Sequence, residues 1–464
     1  MITAVLLVIK FLLVRDTPYF WDAVSKATRA NWIFENNFKT LIVPTQINAG
    51  HPPLWITLVA VFYWVFGKSL FSARLLLLLV NLGVFYQLFV LTKRVFAGTV
   101  PLWLFFLVCL GPTLVAQTTI LNNDMLLLFF TLLGFNALSQ NKQWLYFVAL
   151  TGMLLTNLRG SYAVLSLGVV HFLYVRHQLL KPKKSIVLPY VGAAIVFGCF
   201  ALWQYIELGW AIVTQQQNFN AHRQAAPLMR AVKNSVAFVR YYLEYGRIFM
   251  WLPLLWLLIV SVKTKKWGAR HKKIFIPLVV FSVILFFGNV PFSNPMGPRY
   301  FLICYLLGTI LFLQLLFSVP VSKKTKNVIL GIVALGLVSG HFWIYPPTIS
   351  QAWDSSLAYL RYFKAEEKML CFIEKNNIPV TKTGTYLRLN QRFTVRTRPT
   401  PKGIPRYPHP DTLANDHIIV SNIENNMEDE MIAEVMLHWR EIVTFSDAGV
   451  FVALYQKPKF CTLP

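Results

Sequence analysis

The sequence predicts a polytopic α-helical membrane domain, residues 1–346, followed by a small extracytoplasmic α/β domain, residues 347–464. Three observations predict it. The chain is 56% hydrophobic with a mean hydropathy of +0.52, too apolar for a soluble globular protein of 464 residues. Apolar runs of about 13 to 22 residues recur along the first three quarters, the length scale of membrane-crossing helices. Charge divides unevenly as well. Residues 1–346 hold 30 Lys and Arg but only six acids, namely Asp16, Asp22, Glu35, Asp124, Glu207 and Glu244. Residues 347–464 hold 14 Lys and Arg against 13 Asp and Glu, the balance of a soluble domain. The net charge of +25 therefore belongs to membrane loops that face anionic headgroups. Those basic residues form short separate loops and no continuous stripe, which argues against nucleic acid as a partner.

In chain order, the apolar run 2–14 lacks a basic leader and a small-residue cleavage site, so it reads as a retained helix. A polar first loop, 15–69, follows. Within it 54–66 is apolar but short: thirteen residues at about 1.5 Å each reach roughly 20 Å, less than a hydrocarbon core of roughly 30 Å. It reads as an interfacial or partly inserted helix, opened by Pro52 and Pro53, where a missing N–H does no harm. Further spans are expected at 70–91, 100–116, 125–138, 145–157, 162–175, 186–205, 249–262, 274–290, 300–317 and 328–345, eleven with the first.

Lysine and arginine orient this arrangement. With the first loop outside, the connections 92–99, 139–144, 176–185, 263–273 and 318–327 face the cytoplasm and carry 16 basic residues with no acid. The opposite turns at 117–124, 158–161 and 291–299 carry only Arg159 and Arg299. Counting 54–66 as a full span would reverse every later loop. All six membrane-domain acids then share the extracytoplasmic side, as does the long loop 206–248, whose amphipathic second half could cover a site there.

In the tail, 364–375 and 428–439 have helical periodicity, and 417–421 and 450–455 read as strands. A Pro-rich loop, 396–410, lies between them, and no catalytic motif is visible in the tail. Cys109, Cys199 and Cys304 lie in apolar runs as small hydrophobes, whereas Cys371 and Cys461 could pair in an oxidising compartment. There is no cysteine or histidine cluster with zinc spacing, and neither a metal nor another cofactor is expected, a divalent ion being the one alternative. No Asn-x-Ser/Thr sequon occurs, which favours a bacterial source.

Asp22 follows the aromatic cluster Tyr19-Phe20-Trp21 on a loop at the membrane surface, where a partly desolvated carboxylate can act as a base. Asp16 serves equally well as a turn residue. Asp124, in Leu121-Asn-Asn-Asp124, opens a helix, where it either complements the dipole or works as a second acid. Glu35 belongs on the solvated face of the loop helix. Arg299-Tyr300 after Gly297-Pro298, Arg159 in Asn157-Leu-Arg-Gly160, and Arg74 are cations at the outer edge. Each either pairs with a lipid phosphate or snorkels to headgroups. His51, before two prolines, is either structural or a substrate contact.

Asp22 in a first outer loop, His51-Pro-Pro-Leu54, Phe66-Gly-Lys-Ser69, Phe71-Ser-Ala-Arg-Leu75, Asn123-Asp-Met-Leu126 and Arg299-Tyr300, in this order over roughly residues 10–310, resemble the GT-C membrane glycosyltransferases, nearest the protein mannosyltransferase and aminoarabinose transferase branch. The resemblance implies inverting transfer of a sugar from a polyprenyl-phosphate donor to a lipid, glycan or protein acceptor outside the cytoplasm, in a bacterial inner membrane. It implies Asp22 as the base and Arg299, with Arg159 or Arg74, as donor-phosphate ligands. One departure is Ala23, where many relatives carry Glu. The absence of a nucleotide-binding glycine motif agrees with a lipid-linked donor. The rival readings are a lipid-linked sugar transporter or flippase and a non-catalytic scaffold. The first expects ionisable groups near mid-membrane and inverted repeats; the second leaves the shared side of Asp22, Asp124 and Arg299 unexplained.

Overall fold

The computed structural model of the protein describes residues 2–97, 101, 104–181, 187–347, 354–385, 407–423 and 427–458. The first helix, α1 (Ile2–Val14), shows most of its side chains outward, and its Lys10 caps the carbonyl of Val115 at 3.0 Å. The first loop holds α2 (Asp22–Glu35) and ends on α3 (Leu54–Phe66), which packs against α2. The next helix, α4 (Leu70–Phe96), starts on a reciprocal Ser69–Ser72 capping box and ends with Lys93 and Arg94, which complement its dipole.

The expected single span 100–116 is broken, as far as it is described, into α5 (Phe105–Cys109) and α6 (Pro112–Gln117). Proline at the first position of α6 starts a new helix more readily than it continues an old one. Three helices follow as expected: α7 (Asp124–Ser139), α8 (Gln143–Thr156) and α9 (Gly160–Arg176). Then come α10 (Val187–Leu208), α11 (Gln217–Ala221) and α12 (Leu228–Leu243). A sharp bend of 86° at Tyr245-Gly246, both at positive φ, leads into α13 (Ile248–Lys263).

Behind these lie α14 (Ala269–Asn289), α15 (Leu302–Ser318) with a 3-10 turn (Pro298–Phe301) before it, and α16 (Lys323–Ser339). The axis of the domain is α15, buried at every position from Leu302 to Leu316 between α13, α14 and their neighbours. Close packing, not hydrophobic exclusion, holds such a helix in lipid, and Gly308 provides it by admitting the ring of Trp251.

Among the described residues five helices are long and apolar enough to cross a membrane, or six if α12 and α13 are one bent span. The chain is thus an integral membrane protein; among the described residues the helices of full spanning length do not reach the eleven expected spans, and α1, α7 and α8 are apolar but shorter. Outward side chains such as Leu188, Ile195 and Ile206 give α10 an exposed apolar face, as a lipid-facing helix requires.

The tail contains α17 (Leu360–Lys375), β1 (Thr383–Gly384), β2 (His417–Ser421), α18 (Asp429–His438), β3 (Arg440–Asp447) and β4 (Val450–Gln456). The sheet order is β1-β2-β4-β3, with β1 and β2 parallel and the other pairs antiparallel, and α17 covers β3 and β4. Both expected helices and both expected strands are present; β1 and β3 were not anticipated. Cys461 and most of the Pro-rich loop 396–410 lie outside the described residues.

One backbone contact fixes how α8 turns into α9. A Cβ on Gly160 would stand 1.9 Å from the carbonyl oxygen of Met153, which no rotamer change can relieve. Gly160→Ala is therefore expected to destabilise the fold by about 1–3 kcal/mol, read as a lower unfolding midpoint in detergent. Gly198→Ala on α10, where the added methyl meets open space, is the control that should not lose stability.

Candidate active site

Two acids begin helices and face one arginine. Asp22 is the first residue of α2 and Asp124 the first of α7, so each carboxylate sits at the positive end of a helix dipole. Trp21, just before Asp22, is held at φ 50°, a conformation a bulky residue rarely adopts and one that the surrounding packing must enforce. Arg299 comes from the 3-10 turn before α15, which Pro298 opens.

The guanidinium of Arg299 meets three carboxylates. Its Nη2 lies 2.5 Å from Asp22 Oδ2 and its Nε 3.5 Å from Asp124 Oδ2, while Nη1 donates to Asp354 Oδ2. Asp124 also binds Arg159 through Nη1 at 2.8 Å, and the Arg159 guanidinium lies 3.6 Å from the centre of the Tyr300 ring. Arg299, Asp124 and Asp354 are buried, whereas the Asp22 side chain remains 40% exposed and marks the open side of the cluster. Around Arg299 a narrow cleft of about 40 Å³ is lined by the polar Asp124, Arg159, Arg299 and Tyr300 and by the apolar Leu127, Leu128 and Phe281.

More cations flank Asp22. Lys26 and Arg29 follow it at four and seven residues on α2, on one helical face, and Arg29 is anchored to Ser25 Oγ at 2.7 Å. Burial by itself would push the Asp22 carboxyl up, but Arg299, Lys26 and Arg29 outweigh it and hold the group below the usual carboxylate range. Burial lowers the Lys26 ammonium to about 8 despite the nearby Asp22. Asp354 moves the other way. Its burial and the neighbouring Asp124 and Asp22 raise it to about 6 against the pull of Arg299 and Ser355.

The expected site residues separate into two groups. Asp22, Asp124, Arg159, Arg299 and Tyr300 converge as described. His51 lies near Lys26, Arg29, Arg223 and Arg159; burial, reinforced by those cations, holds its imidazole well below the ordinary histidine value, so it is neutral. Its Nδ1 is buried with no hydrogen-bond partner among the described residues. Arg74 is placed elsewhere. Its Nη1 donates to the Thr119 carbonyl and its Nη2 to that of Thr17, both at 2.6 Å, so it ties the first loop to the end of α6 and lies apart from the cleft. Asp16 pairs with Arg15 at the surface, and Glu35 pairs with Lys68 on the solvated side of α2. The loop 206–248 docks on the first loop through Trp210 Nε1 to Thr45 Oγ1 at 3.1 Å and Arg223 Nη2 to the Ala49 carbonyl at 2.7 Å.

Three members of the cluster escaped the sequence reading. Lys26 and Arg29 carried a signal, the helical spacing from Asp22. Asp354 carried none: the tail was expected to hold no site residue, and it supplies one. Among the described residues no group of three or more His, Cys, Asp or Glu is arranged to hold a metal ion; the cation at the centre of the three acids is the guanidinium itself.

The fold is shared with ArnT from Cupriavidus metallidurans. The crystal structure of that protein bound to undecaprenyl phosphate matches with a TM-score of 0.52 at 13% identity, and its apo structure with 0.55 at 12%. Each match covers 97% of both chains. No protein-family model matches the sequence, and no curated protein does. The GT-C, aminoarabinose-transferase-like resemblance seen in the sequence thus holds for the fold along nearly the whole chain.

Arg299 is the cation on which the cluster depends. Arg299→Ala leaves Asp124 and Asp354 buried without it, at an expected cost of about 3–5 kcal/mol. Without the guanidinium the Asp354 carboxyl, already raised, rises further above its unfolded value and must lose its proton against burial as pH rises. The stability deficit relative to the native chain should therefore be larger at pH 8 than at pH 5. Unfolding midpoints across that range check it, and a deficit independent of pH contradicts it.

Proposed function

We propose that this protein is a membrane glycosyltransferase that moves a sugar from a polyprenyl-phosphate donor to an acceptor hydroxyl outside the cytoplasm, in a bacterial inner membrane, with inversion at the anomeric carbon. The observation that carries the reading is the amphiphilic cleft: Arg159, Arg299, Tyr300 and Asp124 line it together with Leu127, Leu128 and Phe281, and its Arg299 also holds the half-exposed carboxylate of Asp22. The chemistry of that lining suits a ligand with an anionic head and an apolar tail. The ArnT structure, which holds undecaprenyl phosphate in the same fold, supports the same choice.

Arg159 is the first candidate for the donor phosphate. It lines the cleft, faces one carboxylate oxygen only, and is fixed in orientation by the Tyr300 ring beneath it. Lys26 and Arg29 extend the positive surface toward Asp22. Arg299 is a poorer phosphate ligand than the sequence suggested, because all three of its nitrogens already face acids. Its work is to hold those acids in place.

In the reaction the acceptor O–H gives its proton to Asp22 as the acceptor oxygen bonds to the anomeric carbon. The bond from that carbon to the phosphate oxygen breaks, and its electron pair leaves with the polyprenyl phosphate, stabilised by Arg159 and its neighbours. A carboxylate held below its usual range is a weak base, so proton transfer has to accompany bond cleavage. The donor assists, since its phosphate charge next to Lys26 and Arg29 raises the proton affinity of Asp22. Attack from the Asp22 side, opposite the phosphate, inverts the carbon.

The test is product formation by purified protein with undecaprenyl-phosphate sugars. Asp22→Asn is expected to lose on the order of 10²–10⁴ in turnover, while native mass spectrometry still detects bound undecaprenyl phosphate. Unchanged product would sink the mechanism. Movement of intact lipid-linked sugar across a proteoliposome membrane, with no transfer, would favour the flippase instead.

A further inference from the structure

Asp354 comes from the part of the chain beyond α16, yet it is among the most buried acids in the protein, with its side chain 1% exposed. It is seated there deliberately by α6. Gln117 Nε2 donates to the Asp354 carbonyl at 2.7 Å, Thr113 Oγ1 to the Ser355 carbonyl at 3.4 Å, and Ser355 Oγ to Asp354 Oδ1 at 3.0 Å. Five residues on, Tyr359 OH donates to Thr119 Oγ1 at 2.7 Å, and its ring lies 5.0 Å from that of Phe20, two residues before Asp22. Tyr362 and Phe363 close around the same Phe20 ring. The tail segment thus touches the site twice, through Arg299 and through the loop that carries Asp22.

This arrangement has a chemical consequence. A guanidinium with two free Nη groups chelates a carboxylate with both, fork to fork. Here Nη1 is taken by Asp354, so Arg299 holds Asp22 through Nη2 alone, and the Asp22 side chain keeps its exposure.

We propose that Asp354 is a positioning residue for glycosyl transfer: it occupies one arm of Arg299 so that the other arm orients Asp22 by one oxygen and leaves the base open to the acceptor hydroxyl. The inference rests on the glycosyltransferase reading above. Loss of the Asp354 charge lets Arg299 swing onto Asp22, which lowers its proton affinity and blocks it sterically. The groups that face Asp354 are Arg299 before α15, Asp22 on α2, Asp124 on α7, Tyr241 on α12, Tyr245 at the bend after it, and Ser355 beside it. Because its carboxyl is raised to about 6, the native enzyme itself should lose turnover as pH falls through that value and Asp354 takes up a proton.

The experiment measures turnover at saturating donor from pH 5 to 8, using radiolabelled undecaprenyl-phosphate pentoses and hexoses with bacterial envelope lipid as acceptor. It compares the native chain with Asp354→Asn and Asp354→Ala. Asn keeps an acceptor for Nη1 and should lose about tenfold; Ala frees the arm and should lose about a hundredfold. Donor KM should stay within about threefold, since Asp354 does not touch the phosphate site. The acid limb near pH 6 should be present in the native chain and absent from Asp354→Asn. The Asn variant is nearly isosteric, and the pH profile reports on it even if the Ala variant fails to fold. An Asn variant with native turnover and an unchanged acid limb overturns the inference alone, as does a loss seen only in donor KM. No product from the native chain overturns the glycosyltransferase reading together with it.

Discussion

Three carboxylates share one guanidinium, and the membrane domain closes around that charge cluster. An isolated arginine or aspartate in so dry a place costs several kcal/mol, and a mismatched set costs more than an apolar core of the same volume. Each acid therefore has to arrive from a different element at a defined angle: α2 brings Asp22, α7 brings Asp124, and the tail brings Asp354. The 3-10 turn that carries Arg299 leads straight into α15, which is buried all round, so the backbone that presents the cation is fixed by the axis of the fold. Geometry at the site and packing in the bundle are thus one problem.

Helix termini solve much of it. Asp22 and Asp124 are both first residues of helices, where unpaired N–H groups favour the ionised form. Gly160, which lets α9 start against the Met153 carbonyl, places Arg159 one residue earlier, at the cap of that helix and within reach of Asp124. The break at Gly111-Pro112 does similar work, since the short α6 it creates offers Thr113 and Gln117 as a dock for the tail. Irregular backbone at membrane depth survives where protein lines it, and here the irregular points are the ones that assemble the site.

Much of this was legible in the residues. Apolar run length located most helices to within a few residues, and scarcity of acids pointed to Asp22 and Asp124, because a lone carboxylate at a membrane edge is costly enough to need a reason. The break in the span 100–116 was written in Gly111-Pro112 and passed over because the run was apolar on both sides. Arg299 was visible as a cation, but not its engagement by three acids, which depends on distances between elements up to 277 residues apart. Asp354 could not be found from local pattern: it stands in an ordinary polar stretch, and only the return of the chain onto α6 gives it a role. Arg74 shows the reverse case, an edge arginine whose donors are spent on backbone carbonyls.

The charge balance of the cluster bears on what it can bind. Arg299, Arg159, Lys26 and Arg29 stand against Asp22, Asp124 and Asp354, a surplus of one positive charge when all are ionised. That surplus lies on the Arg159–Lys26–Arg29 side, because Arg299 is compensated by the acids around it. On the proposed reading, an anionic head beside Arg159, Lys26 and Arg29 would offset that surplus, and its charge would relax the hold those cations have on the Asp22 carboxylate. A neutral apolar lipid gains nothing from the same surface, while a free anion without a tail gives up the walls of Leu127, Leu128 and Phe281. On the proposed reading, selectivity for a lipid-linked phosphate and activation of the base would both follow from one distribution of charge.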